Sequence, residues 1–218
     1  IIALRVPREG LVGIRPRNKE QSHALALLLD EHIRLVPLVG KAGTGKTLLT
    51  LAAALTQVLE TKLFAEIIMT RATVPVGEDI GFLPGTEEEK MAPWMGALED
   101  NLDVLTHTDD SNSPYGGDWG KAATNDIVRS RIKVKSMNFM RGRTFLKKFL
   151  IIDEAQNMTP KQMKTLVTRA GPGTKVVCLG NIAQIDTPYL TEGSSGLTYV
   201  VDRFKGWPHS GHITLQRG

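Results

Sequence analysis

One glycine-rich stretch in this 218-residue chain has the residue types and spacing that phosphate binding requires. It matches G-x-x-x-x-G-K-[ST], a pattern in which residues without side chains let successive backbone N–H groups turn toward one anion. Lys46 would reach the β- and γ-phosphates of a nucleotide, and the Thr47 hydroxyl would hold Mg²⁺. The pattern therefore predicts a nucleotide-binding loop. Its members are Gly40, Lys41, Ala42, Gly43, Thr44, Gly45, Lys46 and Thr47.

A pair of carboxylates follows an apolar run later in the chain. Residues 149–152 are apolar, and Asp153 and Glu154 come directly after them. At the end of a buried strand, Asp153 would bind Mg²⁺ directly or through water, and Glu154 would polarise the water that attacks the γ-phosphate. An acidic pair that caps a strand and faces solvent is the structural alternative. Because a small-molecule kinase would not need Glu154 to activate water, the pair favours nucleotide hydrolysis.

A third apolar run, at 176–179, is also followed by polar side chains, among them Asn181 and Gln184. A neutral amide can bond the γ-phosphate or the attacking water, and it loses that bond once phosphate leaves. Gln184 is therefore a candidate sensor of the nucleotide state, and an ordinary polar turn residue is the alternative.

These candidates need a scaffold that brings strand ends together, and the chain alternates short β-branched runs with helical stretches. Apolar strands separated by helices predict an α/β fold with a mainly parallel sheet and helices on both faces. Strands are predicted at 34–39, 66–70, 132–135, 149–153, 175–179 and 212–216. Helices are predicted at 18–30, 45–60, 87–105, 121–130, 160–170 and 195–204, with Thr159 as an N-cap before Pro160.

The composition is typical of a globular domain, with 41% hydrophobic and 23% charged residues. No apolar run reaches the roughly 18 residues that a membrane span needs, so we expect a soluble protein without a membrane partner. The single cysteine, Cys178, lies in the apolar stretch KVVCLG, which favours a reducing compartment such as the cytoplasm. Because the chain opens with Ile1, we expect it to be a piece of a longer protein. The stretch at 107–120 predicts a surface loop.

The net charge of +4 hides an uneven distribution of charged residues. Residues 78–118 hold eleven Asp and Glu against one Lys, whereas residues 131–148 hold seven Lys and Arg and no acid. A basic stretch of this density forms either a solvated face or a surface that contacts phosphates. The acidic region would repel a phosphorylated acceptor, which weakens the kinase interpretation further.

Five stretches together resemble the ATPase domain of the PhoH-like proteins, relatives of the superfamily-1 helicases, over nearly all of residues 14–190. They are LVGKAGTGKT, MTRATVPVGEDIGFLPGTEEEKM, MNFMRGRTF, FLIIDEAQNMTPKQMKTLVTR and CLGNIAQID. The resemblance implies a RecA-like P-loop NTPase fold that binds ATP and Mg²⁺. It also implies a homo-oligomeric ring, such as a hexamer, that works on single-stranded RNA.

The front end, GIRPRNKEQSHALALLLD, resembles the longer members of the family, in which a PIN-type ribonuclease domain precedes the ATPase. On that basis residues 1–17 are expected to be a linker from a missing N-terminal domain, and residues 18–218 the ATPase domain. The motor would then unwind RNA or feed it to the attached nuclease.

Two further residues take their roles from the resemblance alone. Gln21, in RNKEQ, matches the glutamine with which the family reads adenine, and a surface position on the first helix is the alternative. Arg217, in the closing LQRG, resembles the arginine that approaches the γ-phosphate, either in its own subunit or in a neighbour's.

Three arginines are candidates for nucleic-acid contact. Arg141 and Arg143, in the MRGRT segment of the basic stretch, could contact RNA phosphates or reach the nucleotide of an adjoining subunit. Arg71 leaves the strand predicted at 66–70, on the same sheet edge as Lys46. Backbone contacts of this kind would tolerate any base sequence and weaken with salt.

Two hypotheses about function stay open on the sequence. The first is a helicase-like motor that hydrolyses ATP and is coupled to RNA. The second is an oligomeric binding module in which ATP stabilises assembly and the basic face docks a partner, without movement along a strand.

Overall fold

The computed structural model describes residues 14–72, 96–105, 126, 128–137, 140 and 142–218. The strands found there are β1 Leu35–Gly40, β2 Glu66–Arg71, β3 Ile132–Val134, β4 Lys148–Asp153, β5 Lys175–Gly180 and β6 Ile213–Leu215. They form one parallel sheet in the order β3-β2-β4-β5-β1-β6. All six strand predictions are confirmed, each end within one residue.

Four α-helices with defined ends accompany these strands, one before β1 and three between successive strands. They are α1 Lys19–Leu29, α2 Lys46–Leu55, α3 Pro160–Val167 and α4 Gly196–Phe204. Residues 96–105 are also helical, within the helix predicted at 87–105, and residues 128–131 are helical to one residue past the end of the helix predicted at 121–130. The remainder of those two predicted helices, residues 1–13 of the expected linker and the loop expected at 107–120 lie outside the described residues.

The sheet is buried on both faces because helices cover each face, and successive strand side chains point alternately into the two layers. In β4, Phe149 and Ile151 pack with buried residues of α1, α2 and the helical residues 96–105. Leu150 and Ile152, which alternate with them, pack with α3 and α4 on the other face. The predicted α/β fold with a parallel sheet and helices on both faces is therefore confirmed, and it is the architecture that the resemblance to a RecA-like P-loop NTPase implies.

Polar side chains begin three of these helices. The Asn18 side chain accepts a hydrogen bond from the Gln21 backbone N–H at the start of α1, and Ser195 does the same for α4. At α3, Thr159 and Gln162 form a reciprocal capping box with Pro160 in the first turn. The predicted N-cap at Thr159 is therefore confirmed.

The helix predicted over 45–60 changes its winding in its last part. It is α-helical to Leu55 and then forms a π-helical turn, Thr56–Glu60. There the Thr56 hydroxyl donates to the Ala52 carbonyl, and the Gln57 amide donates to the carbonyls of Ala53 and Leu28. Side chains that compete for the helix's own carbonyls favour such a wider turn.

Because every strand pair is parallel, the sheet has a carboxyl edge, where all strands end, and an amino edge, where all begin. Polar groups that follow β1, β4 and β5, which are neighbours in the order β4-β5-β1, meet at the carboxyl edge. Within the described ranges, no helix has the length and apolarity that crossing a membrane would take.

Candidate nucleotide-binding site

The predicted phosphate loop joins the end of β1 to the start of α2 at the carboxyl edge. Gly43 and Gly45 have positive φ angles of 78° and 84°, a conformation that favours glycine. Gly45 is the N-cap of α2, and no side chain caps the helix there. The first N–H groups of α2 therefore face outward at the positive end of the helix dipole, as an anion site requires.

Lys46, the first residue of α2, lies half-buried inside the loop. Its Nζ donates to the carbonyl oxygens of Gly40 at 2.6 Å and Lys41 at 2.8 Å. Burial lowers the pKa of Lys46, and the nearby charges of Asp153 and Glu154 oppose that shift. The ammonium group is therefore held within electrostatic reach of both predicted carboxylates.

The remaining loop residues complete the turn. The Thr44 hydroxyl donates to the Lys41 carbonyl at 2.8 Å, and Thr44 is only 3% exposed. Lys41 and Ala42 are exposed at the tip, and Thr47 lies half-buried in the first turn of α2. All eight predicted loop residues are thus held in one compact turn.

Asp153 and Glu154 lie where β4 leaves the sheet, as predicted. Asp153 is the last residue of β4 and pairs in register with Arg71 of β2. Glu154 has a left-handed backbone with φ 52°, so the chain turns away from the direction of β4 at this residue. Arg71 Nη2 approaches Glu154 Oε1 at 3.5 Å, so Arg71 shares this edge with Lys46, as expected.

The donor set fits a hydrated Mg²⁺ ion. Thr47 offers a hydroxyl and Asp153 a carboxylate, and hard oxygen ligands of this kind suit Mg²⁺. The described part of the chain contains no group of three or more His, Cys, Asp and Glu side chains that could hold a metal by itself. A Mg²⁺ ion here would therefore complete its shell with phosphate oxygens and water, its usual arrangement at nucleotide sites.

Gln184 lies on the loop after β5, and its side chain is exposed. Its Oε1 accepts from Asn181 Nδ2 at 3.0 Å, and its backbone carbonyl accepts from Gln156 Nε2 at 3.0 Å. Gln156 also donates to Glu154 Oε2. Sequence reasoning missed Gln156, although its place two residues after Glu154 was a signal available in the sequence.

Gln21 lies against the phosphate loop. Its Nε2 donates to the Thr44 carbonyl at 3.2 Å, and its Oε1 accepts from the Arg17 N–H at 2.8 Å. Because Gln21 is 5% exposed, the alternative of a surface residue on α1 is wrong. The adenine-reading role stays a prediction.

Arg217 reaches the loop from the last described residues. Its carbonyl accepts from Asn18 Nδ2 at 3.1 Å. The next residue, Gly218, lies directly against Gly43, so that a Cβ at Gly218 would collide with the Gly43 carbonyl. The backbone of Arg217 is therefore beside the site, as its predicted role requires.

Of the described basic residues at 131–148, Lys133 and Lys148 lie away from this site. Lys133 and Lys148 each approach Glu66 at 2.6 Å, and Glu66 is the first residue of β2, at the amino edge. Arg143 is exposed and lies two residues before Phe145, whose N–H donates to the Arg169 carbonyl just ahead of β5. The chain at Arg143 is thus close to the amino edge, across the sheet from Lys46. Arg141 lies outside the described residues.

Comparison with known proteins gives one family and several relatives. A model of the PhoH-like protein family matches residues 13–218. The chain is 48% identical over 210 residues to Protein PhoH2 of Bacillus subtilis, covering 96% of this chain and 46% of that protein. It is 39% identical over 208 residues to Protein PhoH2 of Mycolicibacterium smegmatis, covering 94% and 44%. The chain spans a little under half the length of these curated relatives.

Solved structures resemble the chain more distantly. The Pif1 helicase from Candida albicans is 19% identical, with a TM-score of 0.41, over 94% of this chain and 40% of that one. The large terminase from a thermophilic bacteriophage is 13% identical, with a TM-score of 0.48, over 93% and 46%. At these scores the likeness extends to neither substrate nor mechanism.

Proposed function

The chain belongs to the PhoH-like protein family, and from that premise we propose that it is a Mg²⁺-dependent ATPase whose turnover is coupled to single-stranded RNA. The observation that supports hydrolysis best is the meeting of three charges: the Lys46 ammonium group lies within electrostatic reach of Asp153 and Glu154. A site that only held a nucleotide would not need the second carboxylate. The coupling to RNA rests on the family resemblance.

Each step of hydrolysis has a group at the carboxyl edge. The outward N–H groups of α2 bind the phosphates, and Lys46 exchanges the carbonyls of Gly40 and Lys41 for phosphate oxygens. Thr47 and Asp153 would hold Mg²⁺, which would supply positive charge to neutralise the phosphates. Glu154 accepts a proton from the attacking water.

Gln184 and Arg217 act on the γ-phosphate side of the site. The exposed amide of Gln184 bonds the γ-phosphate or the attacking water and releases it once phosphate leaves. The guanidinium of Arg217 stabilises charge that develops in the transition state, in its own subunit or across an interface of a ring. Gln21, beside Thr44, reads the adenine base.

An exposed aromatic residue supports single-strand binding near the same edge. Tyr189 is 96% exposed and has a left-handed backbone with φ 66°. Its loop is anchored by buried Asn157, whose Oδ1 accepts from the N–H groups of Asp186 and Thr187 at 2.8 and 3.2 Å. Because the acidic Asp186 and Glu192 flank Tyr189, the ring is suited to stacking on a base and not to binding phosphate.

The whole protein is proposed to be larger than this chain. Since the chain spans a little under half of its curated relatives, we propose a fused PIN-type ribonuclease domain that receives RNA from the motor. The buried, free Cys178 is compatible with the reducing, cytoplasmic setting expected from the sequence.

The decisive experiment measures ATP hydrolysis at low salt, with and without single-stranded RNA, for the wild type and Lys46→Ala. Lys164→Ala, an exposed lysine on α3, is the control. We expect Lys46→Ala to lower turnover by roughly 10²-fold or more, since it removes the cation from the transferring phosphate. Normal turnover by Lys46→Ala would refute the assignment of this loop as the site of ATP hydrolysis.

The RNA part has its own outcomes. Stimulation by RNA that fades as salt rises supports a nucleic-acid-coupled motor. Hydrolysis that is indifferent to RNA leaves the ATPase standing and refutes the coupling. Tyr189→Ala should weaken single-strand binding by about 5- to 150-fold, and Tyr189→Phe by much less, because stacking needs only the ring.

A further inference from the structure

We propose that Gln156 is a positioning residue that ties the Glu154 carboxylate to residues 181–187, named here the β5 loop. The inference rests on the proposed function, because it assigns a role within ATP hydrolysis. It adds a link between the water-activating carboxylate and the loop that carries the candidate sensor Gln184.

The Gln156 side chain has a partner at each of its polar atoms. Its Nε2 donates both to Glu154 Oε2 and to the Gln184 carbonyl, the latter at 3.0 Å. Its Oε1 accepts from the Asn181 N–H at 3.2 Å. The backbone is fixed as well, because the buried Ser195 hydroxyl donates to the Gln156 carbonyl at 2.8 Å. One amide group therefore joins the acidic residue to both ends of a four-residue turn.

The space for this amide is confined. Gln156 is fully buried, with 0% exposure. A Cβ added at Gly180 would lie 2.5 Å from Gln156 Oε1 and 2.7 Å from Leu197 Cδ2, so Gly180 leaves the room that the amide occupies. A fully bonded amide in a confined space has one orientation, because any rotation would leave a buried polar atom unpaired.

Gln156 has the stronger hold on the Glu154 carboxylate. The other group that contacts its oxygens in the described part of the chain is Arg71, at 3.5 Å, and those two side chains are 37% and 31% exposed. A pair that is about one third exposed and 3.5 Å apart restrains a carboxylate weakly. The buried Gln156 amide therefore sets the direction in which Glu154 points.

The link has a consequence for the reaction cycle. If Gln184 moves when it gains or loses the γ-phosphate, its carbonyl moves with it and changes the hydrogen bond from Gln156. Because the same Nε2 also bonds Glu154, the carboxylate shifts together with the loop. The Glu154 carboxylate would then be placed to activate water only while the β5 loop is in its nucleotide-bound position.

The test compares two buried glutamines. Gln156→Met keeps the volume and removes all three side-chain hydrogen bonds. Gln57→Met likewise keeps the volume and removes both side-chain hydrogen bonds of a glutamine that is 3% exposed and donates to the Leu28 and Ala53 carbonyls, away from the site. Each variant and the wild type are compared by kcat, KM for ATP, affinity for a fluorescent non-hydrolysable ATP analogue, and amide hydrogen exchange.

We expect Gln156→Met to lower kcat by roughly 10- to 100-fold, since misplacing a catalytic group costs that much, with KM and analogue affinity within about 2-fold. The Asn181 amide should exchange faster, whereas the amides of Asp186 and Thr187 stay protected by Asn157. Gln57→Met should leave kcat and all three amides unchanged.

Three outcomes would overturn the proposal: wild-type kcat in Gln156→Met, equal loss of kcat in both glutamine variants, or an unchanged Asn181 amide. If Gln156→Met does not fold, Gln156→Glu replaces it, because it keeps the acceptor for Asn181 but turns a carboxylate toward Glu154. Wild-type kcat in that variant also overturns the proposal. A wild type that hydrolyses no ATP refutes the proposed function instead, and the Asn181 amide still reports on the contact.

Discussion

The two edges of the sheet carry the same kinds of charged side chain, but they pair them differently. At the amino edge, Glu66 is 17% exposed and meets Lys133 and Lys148 at 2.6 Å each. At the carboxyl edge, Glu154 meets Arg71 at 3.5 Å, with both side chains about one third exposed. The carboxylate at the amino edge is fully engaged by two lysines, whereas the charged groups at the carboxyl edge stay accessible to a ligand.

Two lysines show the same contrast. Burial lowers the pKa of both, to about 7 for Lys175, and both donate to backbone carbonyls. Lys175 is fully buried at the end of α1, where its Nζ donates to Leu27, Leu28 and Asp30 at 3.2, 2.5 and 2.8 Å. Lys46 is half-buried in a glycine loop beside two carboxylates. A lowered lysine pKa therefore does not indicate a functional site by itself. The accessible carboxylates of Asp153 and Glu154 beside Lys46 are what distinguish the two lysines.

The largest effect expected at the carboxyl edge is that of Glu154→Gln. The amide keeps the shape of the side chain but cannot take a proton from water, so hydrolysis should fall by about 10²- to 10⁴-fold. Binding of a fluorescent ATP analogue should persist, and the thermal midpoint should change little, because a partly exposed pair 3.5 Å apart, such as Arg71 and Glu154, contributes little to stability.

Asp186→Asn, an exposed change on the β5 loop, is the control for Glu154→Gln. Its hydrolysis should match the wild type. If Glu154→Gln turned over ATP about as fast as the control, the carboxyl edge would have no catalytic carboxylate at this position. Glu154 would then only cap the end of β4, and the two edges would not differ in function.

The next effect is Lys175→Met, which should destabilise the fold by about 1–3 kcal/mol, because it leaves buried carbonyls at the end of α1 without a donor. Since folding lowers the pKa of Lys175 from 10.5 to about 7, the unfolded chain binds the extra proton between these values. Stability of the wild type should therefore rise, relative to the variant, from pH 7 toward 10.5. Urea unfolding at about pH 7 and about pH 9.5 measures both effects.

Turnover per folded molecule should survive Lys175→Met, since Lys175 lies at the amino edge. The conservative Lys175→Arg cannot lose its proton in this range, so it should lack the pH-dependent gain. Equal pH dependence in wild type and Lys175→Met would contradict the assignment.

The fold, the phosphate loop and the acid pair could be predicted because they depend on local sequence patterns. A phosphate loop needs a strand, glycines and a helix in sequence, and the acid pair needs only a buried strand before it. Asp153, Glu154 and Lys46 accordingly lie together, as expected. Parallel pairing then brings Gln184 to the same edge without further information.

Long-range partners could not be predicted in this way. Gln156 is polar and follows two acids, so its burial depends on β5 lying beside β4 and on the space left by Gly180. Nor does the basic stretch reveal that Lys133 and Lys148 share Glu66, which lies in a different strand far back along the chain. Those pairings arise only once β2 lies between β3 and β4.

The smallest effect expected is that of Glu66→Gln, which should cost about 0.5–1 kcal/mol near neutral pH. Burial raises the pKa of Glu66, but hydrogen bonds from Lys133 and Lys148 outweigh it, and the net pKa is lowered from 4.5. The stabilisation is therefore present above pH 4.5 and is lost as the pH falls through the lower folded value. Urea midpoints of wild type and variant should differ at about pH 7 and converge as the pH falls through the folded pKa of Glu66, with ATP turnover equal throughout the neutral range. A loss of turnover would mean that the amino edge also contributes to the reaction. Glu66 is paired with its own lysines and lies across the sheet from Lys46, so it makes no direct contact with the described site residues through which it could change turnover.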